Sequence, residues 1–351
     1  MDTEDDAAGG RRGLRARPSP KLCAAVRTQY GMDVSSGDAD LGGSSSLNLL
    51  AVSSEEGRCV VRVYRPYVTA ARVAAIQRVR RVLNAGGVPC SETVATREGK
   101  PWLLFGGRII EAERYVARDA VMNSWERIEA GLPLLGRIHS LLQTVMVGED
   151  AKKPVFANYV APQNALDATL RGSRRIRAWN PTPQEARLAD AAEELAHQVS
   201  AAEKNVVSGL PQQLVQGDYW DNNVFFREGR VVLVTDFDFM GERARIDDLA
   251  LTLYFTNAAF SSEEPSPDAR LGRLGRLVNA YDSGLDSPLS RRERAALPLA
   301  IARQPLWSVG GWIALLDDEA RARRHANGMG TEVEWALNVV RDLDRWQAAF
   351  A

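Results

Sequence analysis

The sequence predicts an α+β chain in two parts, a small antiparallel-sheet part followed by a larger helical one. Three observations carry this. Residues 47–105 alternate short apolar runs with Gly-rich or charged turns and hold a single helical stretch. From about residue 123 onward, apolar residues recur mostly at helical spacing. A strand-loop-strand insert around residues 215–240 interrupts the helical part. The expected organisation is a disordered tail over 1–20, a sheet-rich part over 21–110 and a helical part over 111–351.

In chain order, a short helix is expected over 22–30, followed by strand-like segments at 47–52, 59–64, 92–96 and 102–105. Glu55-Glu56-Gly57 and Arg97-Glu98-Gly99-Lys100 read as hairpin connections. Between the second and third strands, Val73, Ile76, Val79, Val82 and Leu83 recur at helical spacing, and Gly86-Gly87 ends the helix. In the second part, 123–145 places Trp125, Ile128, Leu132, Leu135, Ile138 and Leu142 on one helical face. A long Ala- and Glu-rich helix is expected over 183–206. A last amphipathic helix over 332–350 carries Trp335, Val339, Leu343, Trp346 and Phe350.

A formal net charge of −1 implies no general attraction to nucleic acid or to an acidic membrane. No apolar run reaches the length of a membrane span, and the N-terminus carries no signal-peptide core. Cys23, Cys59 and Cys90 are widely spaced and form no CxxC, which fits reduced thiols in a cytoplasmic setting. His139, His197 and His325 are too scattered for a His-based metal site.

The densest chemical signal lies between residues 215 and 250. Asp218 and Asn223 form a D-x-x-x-x-N step. The apolar run Val231-Val232-Leu233-Val234 then leads to Asp236. Moving a phosphoryl group to a hydroxyl needs positioning, a proton acceptor and cations more than covalent help. Asp218, after the tight Gly217, is placed to accept or orient the hydroxyl proton. Asn223 and Asp236 supply hard oxygens that suit Mg²⁺. Asp238 is a candidate for a second metal or for loop support.

These residues resemble the aminoglycoside phosphotransferase and choline kinase superfamily, the small-molecule branch of the protein-kinase-like fold. Gln216-Gly217-Asp218 to Asn223 matches its H-G-D-x-x-x-x-N, Thr235-Asp236-Phe237 its I-D-[WFC], and Asp248-Leu249-Ala250 its D-[IL]-A. Leu135 to His139 matches L-x-x-L-H, and Gly42 to Asn48 loosely matches G-G-x-x-N. The resemblance runs from about residue 21 to the end. It implies a bilobal fold with the nucleotide, ATP or GTP, between the lobes. Asp218 would be the catalytic group and Asn223 and Asp236 the Mg²⁺ ligands. Backbone around Gly42, Gly43, Ser44 and Ser45 would lie over the phosphates.

The chain departs from that pattern in three places. Gln216 replaces the usual His, and an amide can brace the loop by hydrogen bonding. Lys occurs only at 21, 100, 152, 153 and 204, so the strand that should carry a phosphate-binding Lys has none. Arg62 is its candidate replacement, with a solvent-facing Arg as the plain alternative. Gln77 stands about where the pairing Glu belongs. For the acceptor, Trp220 and Asp221 beside Asp218, and Arg303 and Trp307 on a late helix, are the candidate contacts. The acceptor is expected to be a small-molecule hydroxyl. An antibiotic or related natural product comes first, then homoserine or choline, with a silent nucleotide-binding module as the remaining alternative. Oligomeric state is left open.

Overall fold

Ser19 opens the first helix, α1 (Pro20–Tyr30): its hydroxyl accepts from Leu22 N, and Gly31, left-handed at φ 68°, closes it. A cap of this kind is worth ~1 kcal/mol. The computed structural model describes residues 15–34, 39–43, 46–154, 157–204, 206–207, 209–314, 316 and 318–351. The chain divides into two compact units. The first runs up to Arg118 and includes Val147–Ala151 and Val232–Thr235. The second comprises Asp119–Met146, Lys152–Val231 and Asp236–Ala351.

The first unit is built on one antiparallel sheet. β1 (Met32–Val34), β2 (Leu47–Ser53) and β3 (Gly57–Val63) precede α2 (Ala70–Ala85); β4 (Thr93–Val94), β5 (Leu103–Phe105) and β6 (Arg108–Arg114) follow it. The strand order is β1-β2-β3-β6-β4, with β5 also paired to β6. The charged turn at 97–100 therefore does not join a hairpin: β4 and β5 each pair with β6, at Thr93↔Glu113 and Leu103↔Ile110. Two strands, β1 and β6, were not anticipated.

Alternation explains how β6 is used. Ile110 and Ala112 join Leu22, Val26, Leu47, Leu49, Val61 and Cys59 in an apolar core. The opposite face carries Ile109, which packs with Val73, and the buried Glu111 and Glu113. Arg80 from α2 ion-pairs with both glutamates, and Gln77 Nε2 donates to Glu111 Oε1 at 2.7 Å. Read as E-A-E-R, this strand looks half solvated. The structure buries both faces, one apolar and one by charge pairing.

The second unit begins with β7 (Ala120–Met122) and α3 (Trp125–Leu142); the single turn that follows, α4 (Glu149–Lys152), belongs up to Ala151 to the first unit. The helices α5 (Ala165–Ala178) and α6 (Pro183–Glu203) pack on each other, and Thr182 and Glu185 form a capping box at the start of α6. The insert follows: β8 (Gln212–Val215), β9 (Asp221–Arg227), β10 (Arg230–Val234), whose residues from Val232 belong to the first unit, and β11 (Gly241–Ala244). β11 pairs antiparallel with β8, and β7 with β9. The remaining helices are α7 (Arg245–Phe260), α8 (Pro267–Ser283), α9 (Arg291–Trp307), α10 (Glu319–Ala326), α11 (Met329–Arg341) and α12 (Leu343–Phe350). Residues 296–307 of α9 are buried on every side, which marks it as the central helix. It lies among α6, α7, α11 and α12.

The terminal helix read as continuous over 332–350 is two helices, broken at Asp342 (φ −101°, ψ 29°). Its aromatic face survives the break: Trp335 meets Trp346 edge-on at 5.7 Å, and Trp346 meets Phe350 at the same distance. Among the described residues, no helix is long and apolar enough to cross a membrane. Residues 1–14 of the expected tail lie outside those described. Arg15, also in that stretch, ion-pairs with Asp40 at 2.5 Å.

Candidate functional site

β8 delivers the chain into Gln216-Gly217-Asp218, and a set of hydrogen bonds fixes that turn. Gly217 N donates to both carboxylate oxygens of Asp248, at 3.0 and 3.2 Å. His139, fully buried, sets Asp248 in place through Nε2 at 3.1 Å and contacts the Tyr281 hydroxyl through Nδ1 at 2.7 Å. Gln216 braces the loop twice: its Oε1 accepts from Asp218 N at 2.6 Å, and its Nε2 donates to Asp236 O at 2.9 Å. The amide thus does the bracing expected of it in place of His. Gly217 sits at φ 91°, and a Cβ there would lie 2.1 Å from Phe239 O. Gly217→Ala combines that collision with a backbone strain of at least ~1 kcal/mol. A lower Tm, read by calorimetry, is expected; an unchanged Tm would refute this account of the turn.

The Asp218 carboxylate is held at both ends. Asn158 Nδ2 donates to Oδ1 at 2.7 Å, and Asn223 Nδ2 donates to Oδ2 at 2.9 Å and also to Asp218 O at 2.9 Å. Although the residue keeps some exposure, burial of its carboxyl, followed by the charge of Asp236, pushes it up to about 7. The donors Asn158 and Asn223 work the other way, and Asp248 adds a smaller push upward.

Asp236 itself adopts a left-handed conformation (φ 55°, ψ 70°), and its Oδ1 accepts from Asp238 N at 3.4 Å. Asp238 is 6% exposed. With its Nδ2 spent on Asp218, Asn223 has its Oδ1 to offer. The donor set is therefore an amide oxygen and the carboxylate of a strained turn. Among the described residues, no cluster of three or more His, Cys, Asp or Glu could cage an ion unaided. Mg²⁺ is ordinarily held by one or two such groups plus phosphate oxygens and water, so these residues fit it.

The first unit has its own charged cluster. Arg62 on β3 is only 6% exposed and stands directly across from Glu111 in the β3–β6 register. Against the upward push of burial, Arg80 and Arg62 hold the Glu113 carboxyl below its ordinary value. Arg62 is thus not the solvent-facing Arg of the plain alternative. Gln77 bonds Glu111 and, at 3.2 Å, Pro101 O. The carboxylates near Arg62 and Gln77 are Glu111 and Glu113 of β6. Gly42 (φ 87°) and Gly43 (φ 118°) form a turn pinned by Asn48 Nδ2 on Gly42 O at 3.0 Å. Ser44 and Ser45 lie outside the described residues.

The Phosphotransferase enzyme family matches residues 39–301. The chain belongs to this family. Two curated relatives are homoserine kinases. The one from Phenylobacterium zucineum (strain HLK1) is 30% identical over 196 residues, covering 48% of this chain and 58% of that protein. That from Rhodopseudomonas palustris (strain ATCC BAA-98 / CGA009) is 30% identical over 219 residues, covering 62% and 60%. The chain therefore spans under two thirds of the length of either. Amicoumacin kinase hAmiN, solved in complex with AMP-PNP, Ca²⁺ and Ami, has a similar fold. Its TM-score is 0.66 at 14% identity, covering 95% of this chain and 96% of that one. The α+β, protein-kinase-like architecture expected of the sequence is thereby established.

Within this phosphotransferase-family chain, the candidate acceptor residues occupy different environments. Trp220 is half-buried, with its ring 5.4 Å from Phe255. Asp221 opens β9; burial raises its carboxyl, and its Oδ1 has no hydrogen-bond partner among the described residues. Arg303 is 1% exposed and commits its guanidinium to Glu203, Asp247 and Val160 O. Trp307 is buried and packs with Trp312 and His325. Sequence reasoning missed Asn158, Glu111 and Glu113. Nothing local marks Asn158, which sits in an irregular stretch 60 residues before its partner.

Proposed function

We propose that this protein transfers the γ-phosphate of ATP or GTP to the hydroxyl of a small amino alcohol, with homoserine the first acceptor to test. The observation that carries the reaction type is the Asp218 carboxylate. It is clamped by two side-chain amides and follows a turn that Asp248 and His139 hold rigid. Asp218 receives or orients the acceptor's hydroxyl proton. Its carboxyl, pushed up toward neutrality, is a better proton acceptor than an ordinary Asp. Asn223 Oδ1 and the Asp236 carboxylate would hold Mg²⁺, with Asp238 supporting the turn. A bound Mg²⁺ would neutralise charge developing on the phosphates. In the first unit, Arg62, backed by the β6 glutamates, and the Gly42–Gly43 backbone are the proposed phosphate contacts.

The choice of acceptor rests on the two homoserine kinases at 30% identity. This reverses the order expected of the sequence alone, which put antibiotics first. The test is labelled γ-phosphate transfer from ATP and from GTP, with Mg²⁺, to homoserine, choline, and aminoglycoside, macrolide and nucleoside antibiotics. Phosphorylated homoserine is the expected product. Transfer to an antibiotic alone would overturn the acceptor, and absence of nucleotide binding would overturn the reaction type.

A further inference from the structure

A carboxylate on a single hydrogen bond can still swing about its last torsion, which has only a broad, two-fold preference. Two donors on different oxygens remove that freedom. Asn223 and Asn158 act in this way on Asp218, and they come from separate segments: Asn223 from β9, Asn158 from the irregular stretch 157–161. A donor on an irregular segment is only as steady as its anchors, and this segment has three. Tyr159 bonds Asp247 and lies with its ring 4.4 Å from the Arg243 guanidinium. Arg243 in turn donates to Phe239 O at 2.8 Å. Val160 O accepts from Arg303 Nε at 3.1 Å. Arg303 sits on the fully buried face of α9 and ion-pairs with Glu203 and Asp247.

We infer that Asn158 is a positioning residue for the Asp218 carboxylate, and that the buried Arg303 cluster acts on the reaction by anchoring the 157–161 segment that carries it. This rests on the role proposed above for Asp218. Among the described residues each carboxylate oxygen has one donor and keeps one lone-pair direction open, and the clamp fixes where the open ones point. Arg303 then acts on the reaction at a distance and not by touching the acceptor.

Asn158 is partly exposed, so replacing it should leave the fold intact. Label transfer from ATP to homoserine, and to water without acceptor, is measured for Asn158→Ala and Asn158→Asp. Binding of a non-hydrolysable ATP analogue with Mn²⁺ is followed by calorimetry, and Tm is recorded. Loss of a hydrogen bond to a charged group should lower kcat by about 10- to 100-fold. KM, analogue binding and Tm should hold. Asn158→Asp, which faces one carboxylate with another, should lose more. In an Asp218→Asn background, Asn158→Ala should change nothing further. An undiminished kcat, a loss confined to acceptor KM, or an equal loss in the Asp218→Asn background would each overturn the inference. Full turnover by Asp218→Asn alone would instead remove the reading of Asp218 on which it rests.

Discussion

Asp218→Asn is expected to lower kcat by about 10²–10⁴-fold, the usual worth of a positioned proton acceptor. Two effects combine. The amide cannot take the hydroxyl proton at neutral pH. It also cannot accept at both ends: with Asn158 and Asn223 each presenting an NH₂, the new side chain must turn its own NH₂ toward one of them. Stability should move little, because relief of the cost of burying the carboxylate, and of the repulsion from Asp236, offsets the lost hydrogen bond. The measurement is single-turnover transfer alongside a melting curve. Transfer at the native rate would remove Asp218 from the mechanism. A large fall in Tm would mean that the loss of rate reports unfolding.

Arg303→Met is expected to destabilise by about 3–5 kcal/mol, because it strands Glu203 and Asp247 in the interior. In a unit of this size that is a fall in Tm of roughly 6–20 °C. Lys is no substitute: one ammonium cannot reach two carboxylates and Val160 O in a fixed fork. The pH dependence has a definite sign. Burial raises Asp247 from 3.8 to about 7 against the downward pull of Arg243 and Tyr159, and removing the Arg303 ion pair is expected to raise it further. A carboxyl raised in the folded state favours folding when protonated, so its contribution is lost as pH climbs from the unfolded value through the folded one. The deficit of the variant should accordingly be smaller at acid pH than in alkali. Equal melting of native and variant chains at both extremes would show that the ion-pair cluster does not hold this region together.

How much of this could be read in advance depended on the range of each interaction. The D-x-x-x-x-N step, the strand toward Asp236 and Asp248-Leu249-Ala250 were legible because their chemistry lies in local spacing. The helical faces were legible for the same reason, since Ile128, Leu132 and Leu135 are neighbours on any helix. β6 was not. Glu111 and Glu113 suggest a wet strand until α2 lays Arg80 across them, and nothing in R-I-I-E-A-E-R announces a cation from 31 residues earlier. Arg303 was misleading in the other direction. An Arg near two Trp suggests a pocket wall, yet α9 is buried on every side and the charge is consumed internally.

The sequence by itself determined the fold class, the family and the order of the loop residues, because helix and strand periods and turn chemistry act over a few positions. Tertiary structure alone decided what aims Asp218 and what neutralises the buried charges. Those contacts join residues 60, 56 and 100 positions apart: Asn158 with Asp218, Asp247 with Arg303, and Glu203 with Arg303. A buried polar group is stable only with its partner in place, and such partners become neighbours only when the whole chain has packed.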